Sequence, residues 1–302
     1  MNDSKNSSSQ PSPRPGNPQP PNKLSSTRLS FSLGRTPALD PRIHAFRGDC
    51  ADIALADRLA LPHYIAPVER RIAVPVADLR ADPSDEAELG SQLLHGERFA
   101  LLADEDGWAW GYGLHDGFVG FLRPDALGPI SEPSHVVAVP RTEGGLFLAS
   151  RVGGAIDGDS LVTETGPIPL TDLLPIGKSV DDPVAIAESL IGAPYLLGGR
   201  SALGIDCSGI VQIAYGMAGL AVPRDSDLQL AAVGEDISEG NPLKRGDIVF
   251  FPAHVGLMTD GETLLHASGH AGRVTTGPLA EAVARIGEKH ETPVLAKRRV
   301  RS

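Results

Sequence analysis

The chain has 302 residues, 41% of them hydrophobic, which is enough to bury a substantial core and to form two or three domains. Its formal net charge of −11 disfavours binding to nucleic-acid phosphates and to anionic membrane surfaces, and it favours cationic or zwitterionic ligands. The two cysteines, Cys50 and Cys207, lie far apart and show neither zinc-ligand nor disulfide-framework spacing.

The N-terminal stretch is rich in Ser, Pro, Asn and Gln and poor in apolar residues, so residues 1–34 are predicted to be a disordered tail. The first 27 residues contain no apolar core of a secretory signal, and no later run approaches the roughly 18 apolar residues of a membrane span. The expected location is therefore the cytoplasm, with leaderless export left open.

Residues 35–66 are predicted to be helical. Asp40 followed by Pro41 is a good N-cap and first-turn pair, and the apolar residues that follow have helical spacing interrupted by one glycine. Cys50 falls inside this segment among Ala, Ile and Leu and is expected to be an inert structural thiol.

Residues 67–130 change to short Val, Leu and aromatic runs separated by Gly, Pro and Asp turns, which predicts a small all-β barrel that resembles bacterial SH3-like domains. WAWGYG and DGFVGF form two adjoining strands joined by a turn at His115–Gly117. Trp108 and Trp110 are expected to pack the barrel. A shorter β-rich stretch at 131–177 is predicted to be a second SH3-like domain.

Residues 178–302 are predicted to be an α+β domain. Asp182 and Pro183 start a helix, a second helix begins at Cys207, and a third lies near Asp227. The runs DIVFF, HVGLMT, TLLHAS and RVTT then predict an antiparallel sheet, so helices come first and strands follow.

Cys207 in IDCSG is the candidate nucleophile. The first turn of a helix stabilises a thiolate through its backbone N–H groups and the positive end of the helix dipole. The backbone N–H of Cys207 is also a candidate oxyanion donor.

Two strand histidines are candidates for the base and its orienting group. His254 begins one strand and His266 ends the next, on either side of a turn at Thr259–Gly261. If the hairpin folds about that turn, the two rings pair nearly opposite each other on one face of the sheet. His270 falls in a glycine-flanked turn and is not expected to take part.

The ordered segments APYLLGG, DCSG, GDIVFF, HVGLM and LLHAS together resemble the NlpC family of bacterial cell-wall cysteine peptidases. The resemblance implies a papain-like catalytic domain preceded by small SH3-like domains. It further implies a γ-D-glutamyl-L-diamino-acid endopeptidase that acts on short muropeptides with a free N-terminal L-Ala in cell-wall turnover or recycling. The bond cleaved would join D-Glu to diaminopimelate or Lys, with no metal or organic cofactor.

The resemblance also assigns substrate-binding residues. In relatives the first SH3-like domain blocks the cleft, and an acidic residue there, matched here to Glu97, pairs with the substrate ammonium. Relatives often have Tyr where this chain has Phe118, so one hydroxyl contact to substrate is expected to be lost. By the same resemblance Tyr195 would lie beside the thiol, and the residues that would hold the amine and the D-Glu carboxylate are Asp206, Ser208 and Ser226, with Arg224 a further carboxylate candidate.

Two other functions stay open from the sequence. The first is an inert module that binds cell-wall peptides through its SH3-like domains. The second keeps the Cys–His chemistry but acts as an amidase or acyltransferase on another small amide or ester. The oligomeric state is not indicated by any pattern in the chain.

Overall fold

The computed structural model describes residues 39–238 and 240–301, so the predicted N-terminal tail lies outside the described residues. The first described segment is a small three-stranded sheet in which β1 pairs antiparallel with β2, and β2 pairs parallel with β3. Its strands are β1 (Phe46–Arg47), β2 (Cys50–Asp52) and β3 (His63–Ile65).

The prediction of a helical segment at 35–66 is wrong for its described part, where the only helical turn is a 3₁₀ turn at Ile53–Leu55. Gly48, at φ +48°, turns the chain between β1 and β2. Ala45 packs with Trp110 in a cluster shared with the next domain, and Cys50 is half-buried at its edge. Tertiary packing therefore overrides the helical spacing of the apolar residues.

The next domain is a seven-stranded sheet with the order β10-β4-β7-β8-β9-β5-β6, in which every pairing is antiparallel. Alternate residues face its core, which contains Ile72, Leu93 and Phe99. Trp108 and Trp110 are both buried, as predicted. The strands are β4 (Val68–Ile72), β5 (Val76–Arg80), β6 (Leu89–Leu94), β7 (Arg98–Glu105), β8 (Trp108–Gly113), β9 (Val119–Leu122) and β10 (Leu127–Gly128).

A second β-rich region follows, made of two three-stranded sheets ordered β12-β11-β16 and β13-β14-β15 around their own apolar cluster. Its assignment as a second SH3-like domain remains a prediction. The strands are β11 (His135–Val137), β12 (Arg151–Val152), β13 (Ala155–Asp157), β14 (Ser160–Thr163), β15 (Gly166–Pro169) and β16 (Leu173–Pro175).

The C-terminal part is α+β, with helix α2 packed on a six-stranded sheet ordered β19-β24-β20-β21-β22-β23. Asp182 caps α1 by accepting a hydrogen bond from the Val184 N–H at 3.0 Å. The helices are α1 (Pro183–Glu188), α2 (Cys207–Met217), α3 (Ser226–Ala232) and α4 (Leu279–Gly287). The strands are β17 (Arg200–Ser201), β18 (Gly204–Ile205), β19 (Glu235–Asp236), β20 (Ile248–Phe251), β21 (His254–Met258), β22 (Thr263–Ser268), β23 (Arg273–Pro278) and β24 (Ala296–Arg299).

Packing places α2 directly behind the histidine strands. Ile210 and Val211 of α2 share one buried cluster with Val255 and Leu257 of β21 and Leu265 of β22. The strand order therefore brings the helix that begins at the candidate nucleophile against the strands that carry both candidate histidines. No helix within the described ranges is long and apolar enough to cross a membrane.

Candidate active site

Cys207 is the first residue of α2 and lines a cavity of about 800 Å³ between the first β domain and the α+β domain. It is only 6% exposed, but it is not sealed off, because it forms part of the cavity wall. Asp206 caps the helix by accepting a hydrogen bond from the Gly209 N–H at 2.7 Å. The helix therefore begins where the sequence places it, at the candidate nucleophile.

The thiol is nevertheless neutral at rest. Burial raises the pKa of Cys207 to about 11, with a further rise from the carboxylate of Asp206. The backbone N–H groups of Val255 and Ser208 and the charge of Arg224 act in the opposite direction but are outweighed. Burial therefore opposes the stabilisation that the helix N-terminus gives a thiolate, and the predicted activation of Cys207 stays a prediction.

The two predicted histidines do meet. His254 Nε2 and His266 Nδ1 lie 2.6 Å apart, and the rings are tilted by 69° with centroids 4.9 Å apart. They are nearly opposite on one face of the sheet, as predicted, with an offset of two residues. Leu257 pairs with Leu265, and continuing that register puts Gly256 opposite His266 and makes His254 its diagonal neighbour.

A glycine and a strained turn make this diagonal contact possible. A Cβ on Gly256 would lie 2.7 Å from Leu264 Cδ1, 3.0 Å from the Leu265 carbonyl oxygen and 3.1 Å from the Cβ of His266, so glycine allows the two strands to pack this closely. Just before His254, Ala253 has φ +52° in the two-residue turn that joins β20 to β21. This left-handed conformation is unfavourable for alanine, and it lies in the cavity wall beside the candidate base.

Both imidazoles are held neutral. Burial lowers the pKa of His254 to about 3, with further lowering by His266 and Arg285. Burial also lowers the pKa of His266 to about 4, again with a contribution from Arg285. Nε2 of His254 is engaged by His266, so Nδ1 is the ring nitrogen of His254 that this contact leaves open.

Arg224 is not available to a substrate carboxylate, contrary to the prediction. It is 1% exposed and forms an ion pair with Asp206, with Nη2 2.7 Å from Oδ2 and Nη1 2.9 Å from Oδ1. Its other donors are used by Ser91, Ser208 and the Gly199 carbonyl. Arg224 therefore fixes the N-cap of α2, and its charge is already balanced by Asp206.

Glu97 is also displaced from its predicted role. It is 5% exposed and makes a two-pronged ion pair with Arg200 at 2.9 and 3.0 Å, and the Leu94 N–H donates to it at 2.8 Å. It lines a different cavity from Cys207. The SH3-like acids that do line the nucleophile's cavity are Asp82 and Glu88, two exposed residues that precede β6 and that the sequence analysis missed.

The other predicted substrate-binding residues gather around the cavity. Tyr195 and Ser226 line it with part of their surfaces exposed, whereas Asp206 and Ser208 are buried in its wall. Burial, with a further contribution from the charge of Asp206, raises the pKa of Tyr195 to about 12, so its hydroxyl stays protonated. Phe118 also lines the cavity but is only 6% exposed, which makes it a wall residue without a polar contact to offer.

Comparison with known proteins agrees with this geometry. Residues 192–286 match the NlpC/P60 family, and residues 79–127 match the SH3 domain of bacterial dipeptidyl-peptidases. A crystal structure of an NlpC/P60 family protein from Bacillus cereus superposes with a TM-score of 0.65 at 18% identity, covering 77% of this chain and 99% of that one. At this identity the superposition shows the fold alone.

Two curated relatives have higher sequence identity to this chain over part of its length. Dipeptidyl-peptidase 6 of Lysinibacillus sphaericus is 38% identical over 106 residues, covering 32% of this chain and 36% of the relative. The γ-D-glutamyl-L-lysine dipeptidyl-peptidase of Bacillus subtilis is 31% identical over 136 residues, covering 41% of this chain and 42% of the relative. The chain thus matches less than half the length of either relative.

Proposed function

Because the chain carries an NlpC/P60 domain of papain-like fold behind a bacterial SH3-like domain, we propose that it is a cysteine peptidase that hydrolyses bacterial cell-wall peptides. The observation that carries the proposal is the arrangement of Cys207 at the start of α2, with a hydrogen-bonded His254–His266 pair on the strands packed against that helix. This is the nucleophile, base and orienting group of acyl transfer.

In the proposed reaction, Nδ1 of His254 takes the thiol proton as the sulfur of Cys207 attacks the substrate carbonyl. His266 accepts the Nε2–H of His254, which fixes the tautomer that leaves Nδ1 open to the thiol. The carbon–nitrogen bond then breaks, and the proton passes from His254 to the leaving amine. Water hydrolyses the thioester by the reverse proton transfers, and the Cys207 N–H is the candidate donor to the oxyanion.

The first experiment removes the nucleophile. Cys207→Ala is expected to abolish hydrolysis of L-Ala-γ-D-Glu-diaminopimelate and of the corresponding Lys peptide, with products identified by mass. Cys50→Ala is the matched control, since Cys50 is the other cysteine of the chain and lies outside the cavity that Cys207 lines, and it should retain wild-type rates. Hydrolysis that survives in Cys207→Ala would remove this residue from the mechanism.

The finer proposal is that the scissile bond joins D-Glu, through its γ-carboxyl group, to the diamino acid of a short peptide with a free N-terminus. Its support is the cavity itself, whose wall includes the exposed carboxylates of Glu88 and Asp82. An exposed acid at a cavity wall attracts an ammonium group, and the strongly negative chain adds to that preference. The B. subtilis relative is named for the γ-D-glutamyl-L-lysine bond.

Replacement of the cavity acid tests this finer proposal. Glu88→Gln is expected to raise KM for the free-amine peptide about tenfold, because a charge-assisted hydrogen bond contributes about 1.5–3 kcal/mol. Glu86→Gln is the control, because Glu86 bonds to Ser84 outside the cavity and should leave KM unchanged. An unchanged KM in Glu88→Gln would show that the ammonium is recognised elsewhere.

A further inference from the structure

We propose that Arg42 limits the length of the substrate by holding one wall of the Cys207 cavity closed. This inference rests on the proposed peptidase function and names a residue, ahead of the SH3-like domain, that determines its specificity. Pro41 and Arg42 line the same cavity as Cys207, as do the three residues Asp225–Asp227 at the start of α3.

The side chain of Arg42 joins the N-terminal segment to the α+β domain. Its Nη1 lies 2.7 Å from Asp225 Oδ2, and its Nη2 lies 2.7 Å from Asp227 Oδ2. The same guanidinium also binds Asp40, with Nη2 2.7 Å from Oδ2. One cation thus bridges three carboxylates that belong to two distant stretches of the chain.

The backbone of Arg42 is held by the SH3-like sheet. Its carbonyl accepts a hydrogen bond from the Val119 N–H of β9 at 2.8 Å, which ties it to the SH3-like sheet. On the other side, Gln229 of α3 donates to the Ser208 carbonyl in the nucleophile helix at 2.9 Å. Arg42 therefore links the SH3-like wall to a helix that is bonded to the first turn of α2.

The electrostatic attraction that holds this wall together depends on the guanidinium of Arg42. Burial raises the pKa of Asp225, and the charges of Arg224 and Arg42 act against that rise. Without Arg42, the carboxylates of Asp40, Asp225 and Asp227 would lose the cation that all three share, and their mutual repulsion would favour separation of the two sides. Arg42 is 37% exposed, so its ion pairs are partly screened by water and salt.

The test compares a short peptide with a longer one. The substrates are L-Ala-γ-D-Glu-Lys and the same peptide extended at its N-terminus by one glycine. Arg42→Ala is expected to raise the ratio of kcat/KM for the extended peptide over the short one by tenfold or more. Arg245→Ala is the matched control, since Arg245 is 38% exposed, binds Asp182 and Glu188, and does not line the cavity.

A second variant and a binding measurement distinguish the proposed change in length preference from effects on folding and on catalysis. Asp227→Asn weakens the same contact from the other side, on a residue that is 64% exposed, and should shift the ratio in the same direction. Calorimetric binding of both peptides to Cys207→Ala, with and without Arg42→Ala, reports length preference without turnover.

The outcomes separate the two proposals. If peptide binding shows a length preference that depends on Arg42, but the wild-type chain hydrolyses neither peptide, this inference holds and the proposed peptidase function is overturned. A ratio that stays the same in both Arg42→Ala and Asp227→Asn, with hydrolysis intact, would overturn the inference alone. Failure of both peptides to bind would overturn both.

Discussion

Burial sets the proton positions of Cys207 and His254 before any substrate arrives. The thiol keeps its proton because its pKa is raised to about 11, and the imidazole lacks one because its pKa is lowered to about 3. The pair therefore starts as neutral thiol and neutral base, and the proton moves as the sulfur attacks. His266 contributes by holding the ring nitrogen that faces away from this transfer.

The pH dependence of activity follows from these shifts. In the proposed mechanism neutral His254 is the active form, and a lowered pKa keeps it neutral at acidity that would protonate an ordinary histidine, whose pKa is about 6.5. We expect kcat/KM to stay near its maximum down to about pH 5. Arg285→Gln removes a charge that helps to lower both histidine pKa values, so it should move the acid limb upward.

Peptide hydrolysis followed across a pH series in constant ionic strength measures this effect. An acid limb centred near pH 6.5 in the wild-type chain would show that the histidine pair is more exposed to water than its burial in the structure indicates.

The sequence was sufficient to place the proposed nucleophile and histidine pair and insufficient for the residues around them. Cys207 begins α2 and His254 begins β21, whereas His266 lies two residues before the end of β22 and not at the strand end predicted from the sequence. Glu97 and Arg224 were misassigned because their partners are fixed by the tertiary fold, with Arg200 lying far along the chain from Glu97. No local pattern marks which of two nearby acids, Glu88 or Glu97, faces a cavity.

At the scale of elements, the hairpin of β21 and β22 shows what short-range patterns can and cannot fix. The two strands and their turn follow from alternation and from the Asp260–Gly261 pair. Their register does not, because the turn sequence allows more than one alignment. Gly256 is the residue that could have indicated it, since a side chain there would lie too close to β22.

Two other elements escaped sequence reasoning for different reasons. The segment around β1 to β3 has helical spacing, but its apolar residues pack against the SH3-like sheet as short strands. Helix α4 was not predicted, although its apolar residues cover a second buried cluster on the far side of the sheet, with Val249, Phe251 and Met258. Its Arg285 is the charge that influences both histidines.

At the scale of the whole molecule, a buried polar network joins the SH3-like domain to the catalytic helix. Glu97 pairs with Arg200, and Gln212 of α2 donates to Asp116 at 2.9 Å. The Gln92 side chain accepts from the Arg200 N–H at 3.0 Å. The first β domain is thus bonded to the residues behind the nucleophile and helps to position the cavity wall.

Breaking the main ion pair of this network should destabilise the chain strongly. Glu97→Gln leaves the buried Arg200 without its two-pronged carboxylate partner, and we expect a loss of about 3–5 kcal/mol in the free energy of unfolding. Urea denaturation measures it. Glu69→Gln removes an exposed ion pair with Arg98 and should cost far less, because water and salt screen it. Equal losses in the two variants would contradict a structural role for the buried pair.

The walls of the Cys207 cavity come from the N-terminal segment, the SH3-like domain and the α+β domain, which are far apart along the chain. Such a chamber exists only after the last of these parts has docked. A growing polypeptide, or one cut between its domains, would carry the reactive sulfur without the enclosure that selects what reaches it. The proposed substrate selectivity therefore requires all three parts to be docked. Proteolytic cleavage between them would reduce this selectivity while Cys207 and the two histidines remained in the chain.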